Sequence, residues 1–459
     1  MCLLPVSYHP RAAVRMGHDG PVMSGTSQEL ELRALAEAAR AEVDAFVRER
    51  APASVELFLQ AGRRLSLEYE AGTGASMLTG GGSVWAAARV WGEEGSGHAV
   101  LPVGGAADVG RVLRASEQRV GTGPRSVLPP PLSPAGPPLF HLPELSASRL
   151  RGLAGQLVRE VIPPGVVVQA AVLAQSAAWF ALARGEGGFE VGSTFREEAF
   201  VRCETSRGAL VDAVASPLEG TWNPAALKAR LAEALEALEG PAEAADPGLP
   251  LVLRPAVAAP LVAALAWMLR GDVVASTPAL ARAVGKKLFP SVLSVEDDPL
   301  HPLGTQRRSL DDEGVPMRVS RLIDEGRLQG FLHSATTAAS LGAEPNGRGL
   351  RAESSPPGPS PVNLFIVPRG DALPGHYTEL VARIETFTTM PRPGTVSLVA
   401  GGWEVHEGRR VRRVAPLELS LPVLETFRVL RGVGSDLTFF PTAEGCGTPS
   451  LVFPPVPVG

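Results

Sequence analysis

Three cysteines in 459 residues, Cys2, Cys203 and Cys446, are too few and too scattered for a disulfide framework or a four-thiolate zinc site. Their scarcity points to a reducing compartment. Charge of one sign is also lacking: the formal net charge is -5 with a pI near 6.0, which gives no electrostatic reason to expect nucleic acid or an anionic membrane. No stretch reaches the roughly 18 uninterrupted apolar residues of a membrane span. The nearest, 251–269, contains Arg254, Pro255 and Pro260, and a buried strand and helix account for it. A secretory leader is not evident either, because Met1-Cys2-Leu3-Leu4-Pro5-Val6 is broken by proline and lacks an apolar core of about 7 to 15 residues. Residues 1–23 are expected to form a disordered tail, with Met16 or Met23 as alternative starts.

What is present is ordinary for a folded protein: 45% hydrophobic and 20% charged residues, over a length that favours two domains. A helix is expected after Thr26 and Glu29, which stand at capping-box spacing, with Leu32, Leu35, Ala39, Val43, Phe46 and Val47 on one stripe. Strand candidates follow at 55–60 and 63–69, with a turn at Ala61-Gly62, and at 83–91. Gly80-Gly81-Gly82 and the glycines of 185–188 read as turn chemistry. A second helix is expected over 106–118, then a Pro-rich linker over 121–143 and a helix over 147–158. Segments 165–176, 179–184, 189–205 and 209–215 alternate and predict an antiparallel set. Asn223-Pro224 caps a helix over 225–238.

Residues 240–250, rich in Gly, Pro and Ala, are the expected boundary between an N-terminal mixed α/β domain (24–245) and a β-rich C-terminal domain (246–459). The fold class is α+β. In the second half the pattern predicts a strand at 251–253, a helix over 258–269, a short helix after Thr277-Pro278, and a hairpin of 315–323 with 327–333 around Asp324-Glu325-Gly326. Further strands are expected at 362–367, 379–387, 395–400, 403–406, 409–414 and 451–453, with a helix over 421–429.

Motifs then narrow the function. Leu310-Asp311-Asp312-Glu313-Gly314-Val315-Pro316, Arg321 to Leu332 with Ile323-Asp324-Glu325-Gly326-Arg327-Leu328, and Asn346-Gly347-Arg348-Gly349-Leu350-Arg351 together resemble the signature of the TldD/PmbA (TldD/TldE) metallopeptidase family. Catalytic members carry a His-Glu-x-x-x-His zinc helix about fifty residues upstream, with a distant Cys completing the site. Two imidazoles on one helix face and a Glu beside them are what a water-activating zinc needs. Here that place reads Pro260-Leu261-Val262-Ala263-Ala264-Leu265-Ala266-Trp267-Met268-Leu269-Arg270, without a ligand atom.

The aligned positions are Ala263, Ala264, Trp267 and Met268, and a buried structural helix is the plain reading of them. The resemblance is closer to the metal-free PmbA/TldE branch. It implies a non-catalytic subunit of a cytoplasmic complex that proteolyses unfolded peptides, with zinc held by a TldD-type partner and no cofactor in this chain. Asp312, Glu313 and Gly314 are implied to form a structural, groove-lining motif.

Two other classes stay open. One is a self-sufficient metallopeptidase or cysteine-dependent hydrolase, using Cys446 or the acidic set Asp297, Asp298, His301, Asp311, Asp312 and Glu313. The other is a homodimeric peptide-binding protein. The acidic set reads more simply as a solvated loop entering the hairpin, and Cys446 as a small loop or core residue.

Overall fold

The computed structural model describes residues 25–50, 54–70, 75–122, 126–132, 143–163, 165–185, 187–221, 223–352, 355–385 and 394–455. The expected tail, most of the second half of the Pro-rich linker and the segment 386–393 lie outside them.

The N-terminal half is a long antiparallel sheet covered by helices. Helix α1 (Gly25–Arg50) precedes β1 (Ser54–Glu70), β2 (Ala75–Gly92) and β3 (Gly95–Pro102). Helix α2 (Val109–Glu117) and α3 (Ala147–Gln156) lead to β4 (Val167–Arg184), β5 (Phe189–Thr205), β6 (Gly208–Ser216) and α4 (Pro224–Leu238). The stripe of α1 (Leu32, Ala36, Ala39, Val43, Phe46) packs on Val55, Leu57 and Leu59, alternate residues of β1. Asn223 caps α4 through its side chain, which accepts from the Ala226 amide at 3.0 Å, with Pro224 at the first helical position.

Three sequence expectations are corrected here. Ala61-Gly62 is not a turn: Ala61 pairs with Val84 of β2 and Trp179 of β4, so β1 runs unbroken. Gly80, Gly81 and Gly82 lie inside β2 opposite Leu65, Arg64 and Arg63, not in a turn. Strand β3, carrying His98, occupies a stretch where no strand was expected. In each case partners on the neighbouring strands satisfy the backbone, and sequence spacing does not reveal them. Likewise 165–176 and 179–184 are one strand.

The C-terminal half builds β7 (Leu251–Leu253), α5 (Pro255–Met268), the short helices α6 (Gly271–Ala275) and α7 (Pro278–Ala281), β8 (Val295–Asp297), β9 (Ser320–Asp324) and β10 (Arg327–Leu328). Glu325 and Gly326, both at positive φ, make the two-residue turn between β9 and β10. Helix α8 (Ala335–Leu341), β11 (Gly349–Leu350), β12 (Gly358–Pro359) and β13 (Leu364–Ile366) follow. The long strands β14 (His376–Ile384), β15 (Thr395–His406) and β16 (Arg409–Pro422) come next. Helix α9 (Val423–Arg428), β17 (Gly432–Val433), β18 (Thr438–Phe440), β19 (Cys446–Thr448) and β20 (Leu451–Phe453) close the fold.

Strand β15 passes through Gly401-Gly402, where two separate strands were expected. A Cβ at Gly402 would lie 1.8 Å from the Glu379 carbonyl, so the bulge there requires glycine. Strand β16 continues past Pro416 to Pro422, where a helix start was expected. Its other side carries a single described bridge, Val414 with Glu243, so beyond it β16 is an edge on which the missing proline N–H costs little.

Twelve strands from both halves form one sheet, ordered β17-β20-β7-β14-β6-β5-β4-β1-β2-β3, with β15 and β16 branching from β14. The halves meet within it where Ile384 of β14 pairs with Leu210 of β6. A second sheet, β10-β9-β8-β13-β19-β18, packs with α5 around a core containing Val257, Leu261, Val262, Leu265, Leu293, Ile323 and Leu364. The protein is thus a mixed α and β fold built on large sheets.

Candidate functional site

Two regions bear on chemistry: the face of α5 where catalytic relatives would hold zinc, and the seam where the Asp-Asp-Glu-Gly loop meets the N-terminal sheet. Pro255 starts α5 after extended Arg254. Its fully buried residues, Val257, Ala258, Leu261, Val262, Leu265 and Ala266, point into the core. Ala263, Ala264, Trp267 and Met268 fall at i, i+1, i+4 and i+5, and all are half-buried. Ala263, Ala264 and Met268 border the fully buried side and pack against the core cluster with their inner edges, while Trp267 is not part of that cluster.

Cys446 sits on β19, which packs against α5, and is fully buried among Leu261, Leu265 and their neighbours. Burial, then the Glu444 and Asp297 carboxylates, pushes its thiol well above the ordinary range. It is a core thiol, the opposite of the exposed, electropositive setting of a reactive one.

The acidic set divides into separate groups, and the expectation of a solvated loop is corrected. Asp297 is fully buried: it accepts from Arg348 Nε at 2.6 Å and from the Asn363 amide at 2.7 Å. Asp298 caps its own turn at the Leu300 amide. His301 lies between the rings of Phe365 and Phe439, with centroids 4.8 and 4.9 Å away. Among the described residues no three of His, Cys, Asp and Glu come together in an arrangement that could hold a metal ion.

Asp311, Asp312, Glu313 and Gly314 are buried at the seam. Asp311 ties its own loop: its carboxylate accepts from the amides of Glu313 (2.9 Å), Val315 (2.8 Å) and Gly349 (2.9 Å). Burial, with Glu313 beside it, pushes its pKa up to about 8 against the pull of those backbone donors. Asp312 accepts from Arg308 and from the Arg351 amide. Gly314 has φ +71, and a Cβ there would meet Leu132 Cδ2 at 2.1 Å.

Glu313 joins a row of charges laid across the N-terminal sheet. Glu56 on β1 stands directly opposite Arg89 on β2 and Arg184 on β4, and Arg89 stands opposite His98 on β3. Glu56 accepts from Arg89 at 2.8 and 3.0 Å, from Arg184 at 3.1 and 3.2 Å, and from Arg351 of the C-terminal half. Arg89 also donates to Glu313 Oε1 at 2.9 Å, while Glu313 Oε2 accepts the Ala335 amide that opens α8.

All these side chains are at most 2% exposed. Burial alone would raise the pKa of Glu56, but the guanidiniums of Arg89, Arg351 and Arg184 outweigh it and hold it at about 2. Burial, then Arg351 and Arg89, brings His98 down to about 4, so it is neutral. The network fixes the register between the two halves.

This row was missed in the sequence, although a signal exists. Each of three apolar strand runs holds one isolated charge, Glu56, Arg89 and Arg184, and a lone charge in a two-sided buried strand demands a partner.

The comparisons with known proteins fit this frame. Residues 248–459 match the model of the PmbA/TldA metallopeptidase C-terminal domain. This C-terminal half belongs to the TldD/PmbA family. Over 194 residues, 39% of its length, the chain is 28% identical to a metalloprotease of Synechocystis sp., spanning 42% of that protein. It is 30% identical to a metalloprotease of Methanothermobacter thermautotrophicus over 179 residues, 37% of each chain. The match therefore spans less than half of these curated relatives. TldE from Thermococcus kodakarensis superposes with a TM-score of 0.75 at 18% identity, covering 91% of this chain and 99% of that one, and so shares its fold.

The zinc of the TldD/PmbA metallopeptidases finds no fit at α5. Two methyl groups, an indole and a thioether stand half-buried there, and none is among the usual zinc donors. The further thiol, Cys446, points into apolar core.

Proposed function

We propose that this chain is a metal-free, TldE-type subunit of a cytoplasmic two-component peptidase that degrades unfolded peptides. The observation that carries the reading is the stretch of α5 holding Ala263, Ala264, Trp267 and Met268, the residues that the resemblance aligns with the metal-binding ones of catalytic family members. A TldD-type partner would hold the zinc, which there serves as Lewis acid and activator of water.

This chain supplies position and enclosure. Trp267 and Met268 offer an apolar wall for an extended peptide and exclude water from it, while the Glu56–Arg89–Glu313–Arg351 network keeps the two halves in fixed register so that the wall does not move. Backbone hydrogen bonds to an extended peptide, as in strand addition, would give affinity with little sequence preference.

Tagged co-expression with a TldD-type protein of the same genome tests this. The expected result is a complex with equal numbers of the two chains on size exclusion, zinc in proportion to the partner alone, and casein-type peptidase activity that vanishes when the partner's zinc-helix Glu is replaced. A chain that runs alone, carries stoichiometric zinc and cleaves peptide overturns it.

A further inference from the structure

A narrow cleft opens where β6, α4, the first turn of α5, β14 and the turn after β18 meet. Asp212, Arg230, Arg383, Thr442, Phe440 and Val381 line it. Its charges do not balance. Arg230 grips Asp212 with two hydrogen bonds, Nε to Oδ2 at 2.8 Å and Nη2 to Oδ1 at 3.0 Å, and also donates to the Ala213 carbonyl. Its guanidinium stacks 5.3 Å from the centroid of Phe440, which fixes its plane. Glu385, the other nearby acid, accepts from Arg202 at 2.7 Å.

Arg383 lies beside both acids, yet each is already held by another arginine. Its guanidinium has no hydrogen-bond partner among the described residues. Three guanidiniums thus face two carboxylates. Burial pushes the Arg383 pKa below its ordinary value, as expected of a cation short of a counter-ion.

We propose that Arg383 anchors the carboxylate of a bound peptide in this cleft. A surplus of one positive charge matches a monoanion, whereas a phosphate dianion would leave a half-buried negative charge. The planar fork suits a carboxylate, and the cleft, about 20 Å³ in volume, has room for little beyond that group, with the rest of the peptide outside it.

The location gives the anchor a use. Ala256, at the cleft, and Ala263, at one of the positions aligned with the zinc helix, both pack on the cluster of Ala259, Phe440 and Ala443. Two helical turns separate them, about 10 Å, which is about three residues of extended peptide. The inference rests on the peptide-holding reading above and adds to it the group that is recognised.

The test measures binding of fluorescent peptides to the full chain. One sequence is made with a free C-terminal acid, with a C-terminal amide, and as the amide with an internal Glu. The free-acid peptide is expected to bind about tenfold more tightly than the amide. Arg383→Gln should abolish that preference and leave the amide's affinity unchanged, with Arg383→Lys retaining part of it. Preference for the internal-Glu peptide instead assigns the same anchor to an acidic side chain.

Equal binding of all three peptides, or a preference that survives Arg383→Gln, overturns the proposal while leaving peptide holding intact. Failure of every peptide to bind overturns the peptide-holding reading. The cleft is then judged by N-acetyl-alanine against its methylamide, following the Arg383 Nε resonance by NMR. A shift with the acid alone supports a carboxylate site, and no shift removes it.

Discussion

Replacing Glu56 by Gln tests the buried charge row most directly. The amide has nearly the same shape but no charge, so Arg89, Arg184 and Arg351 would lose the carboxylate they share at a site where Glu56 is 0% exposed. Leaving a buried cation uncompensated costs about 3 to 5 kcal/mol.

The depressed pKa of Glu56 gives a second figure. The fall in the Glu56 pKa from 4.5 to about 2 corresponds to about 3 kcal/mol of stability at neutral pH. Because the folded-state pKa is the depressed one, this contribution is complete above about pH 5. It is lost as the pH falls through 4.5 toward 2.

Urea unfolding of both proteins at several pH values reads both numbers. Wild type should exceed E56Q by about 3 to 5 kcal/mol at pH 7, and the gap should narrow by about 3 kcal/mol between pH 5 and pH 2. A second replacement, Arg351→Met, should cost less in E56Q than in wild type, because it removes a cation that has lost its partner. A gap under about 1 kcal/mol, with parallel pH profiles, would refute the claim that the row locks the two halves together.

Other outcomes follow from local geometry. Chelation with EDTA should leave the melting temperature of the purified chain unchanged; a fall on chelation, reversed by zinc, would reveal a metal site. Gly326→Ala should destabilise by about 3 kcal/mol, because φ is +78 there and the new Cβ would lie 2.0 Å from the Phe289 carbonyl; a chemical melt measures it. Cys446 should escape iodoacetamide at pH 8 in the native protein and react in urea, as mass spectrometry of the peptides would show. Ser334→Ala should cost about 1 kcal/mol, since Ser334 and Thr337 form a capping box at the start of α8.

Much of this protein was legible in one dimension. Local chemistry sufficed wherever it acts alone: the Asn223-Pro224 cap, the Asp324-Glu325-Gly326 turn, the stripe of α1, and the absence of ligand atoms along 260–270. The Asp-Asp-Glu-Gly motif with the flanking hairpin was enough to resemble a family. Strand length was not legible, because Ala61-Gly62 and Gly401-Gly402 look like turns until partners appear on both sides.

The charge row was equally hidden as a unit. Glu56, Arg89, Arg184, Glu313 and Arg351 are spread over nearly 300 positions, and Glu56 and Arg351 are separated by 295. Sequence fixes that each is a charge in an apolar setting and so requires a counter-charge. Only the register of β1 between β2 and β4, and the docking of the second half onto that sheet, decides which one it meets. The same division holds at the cleft. Arg202, Arg230 and Arg383 are unremarkable in sequence, and only the pairing of Asp212 with Arg230 and Glu385 with Arg202 leaves Arg383 free to meet a ligand. Burial and pairing are sums over neighbours in space, and a single chain position does not contain that sum.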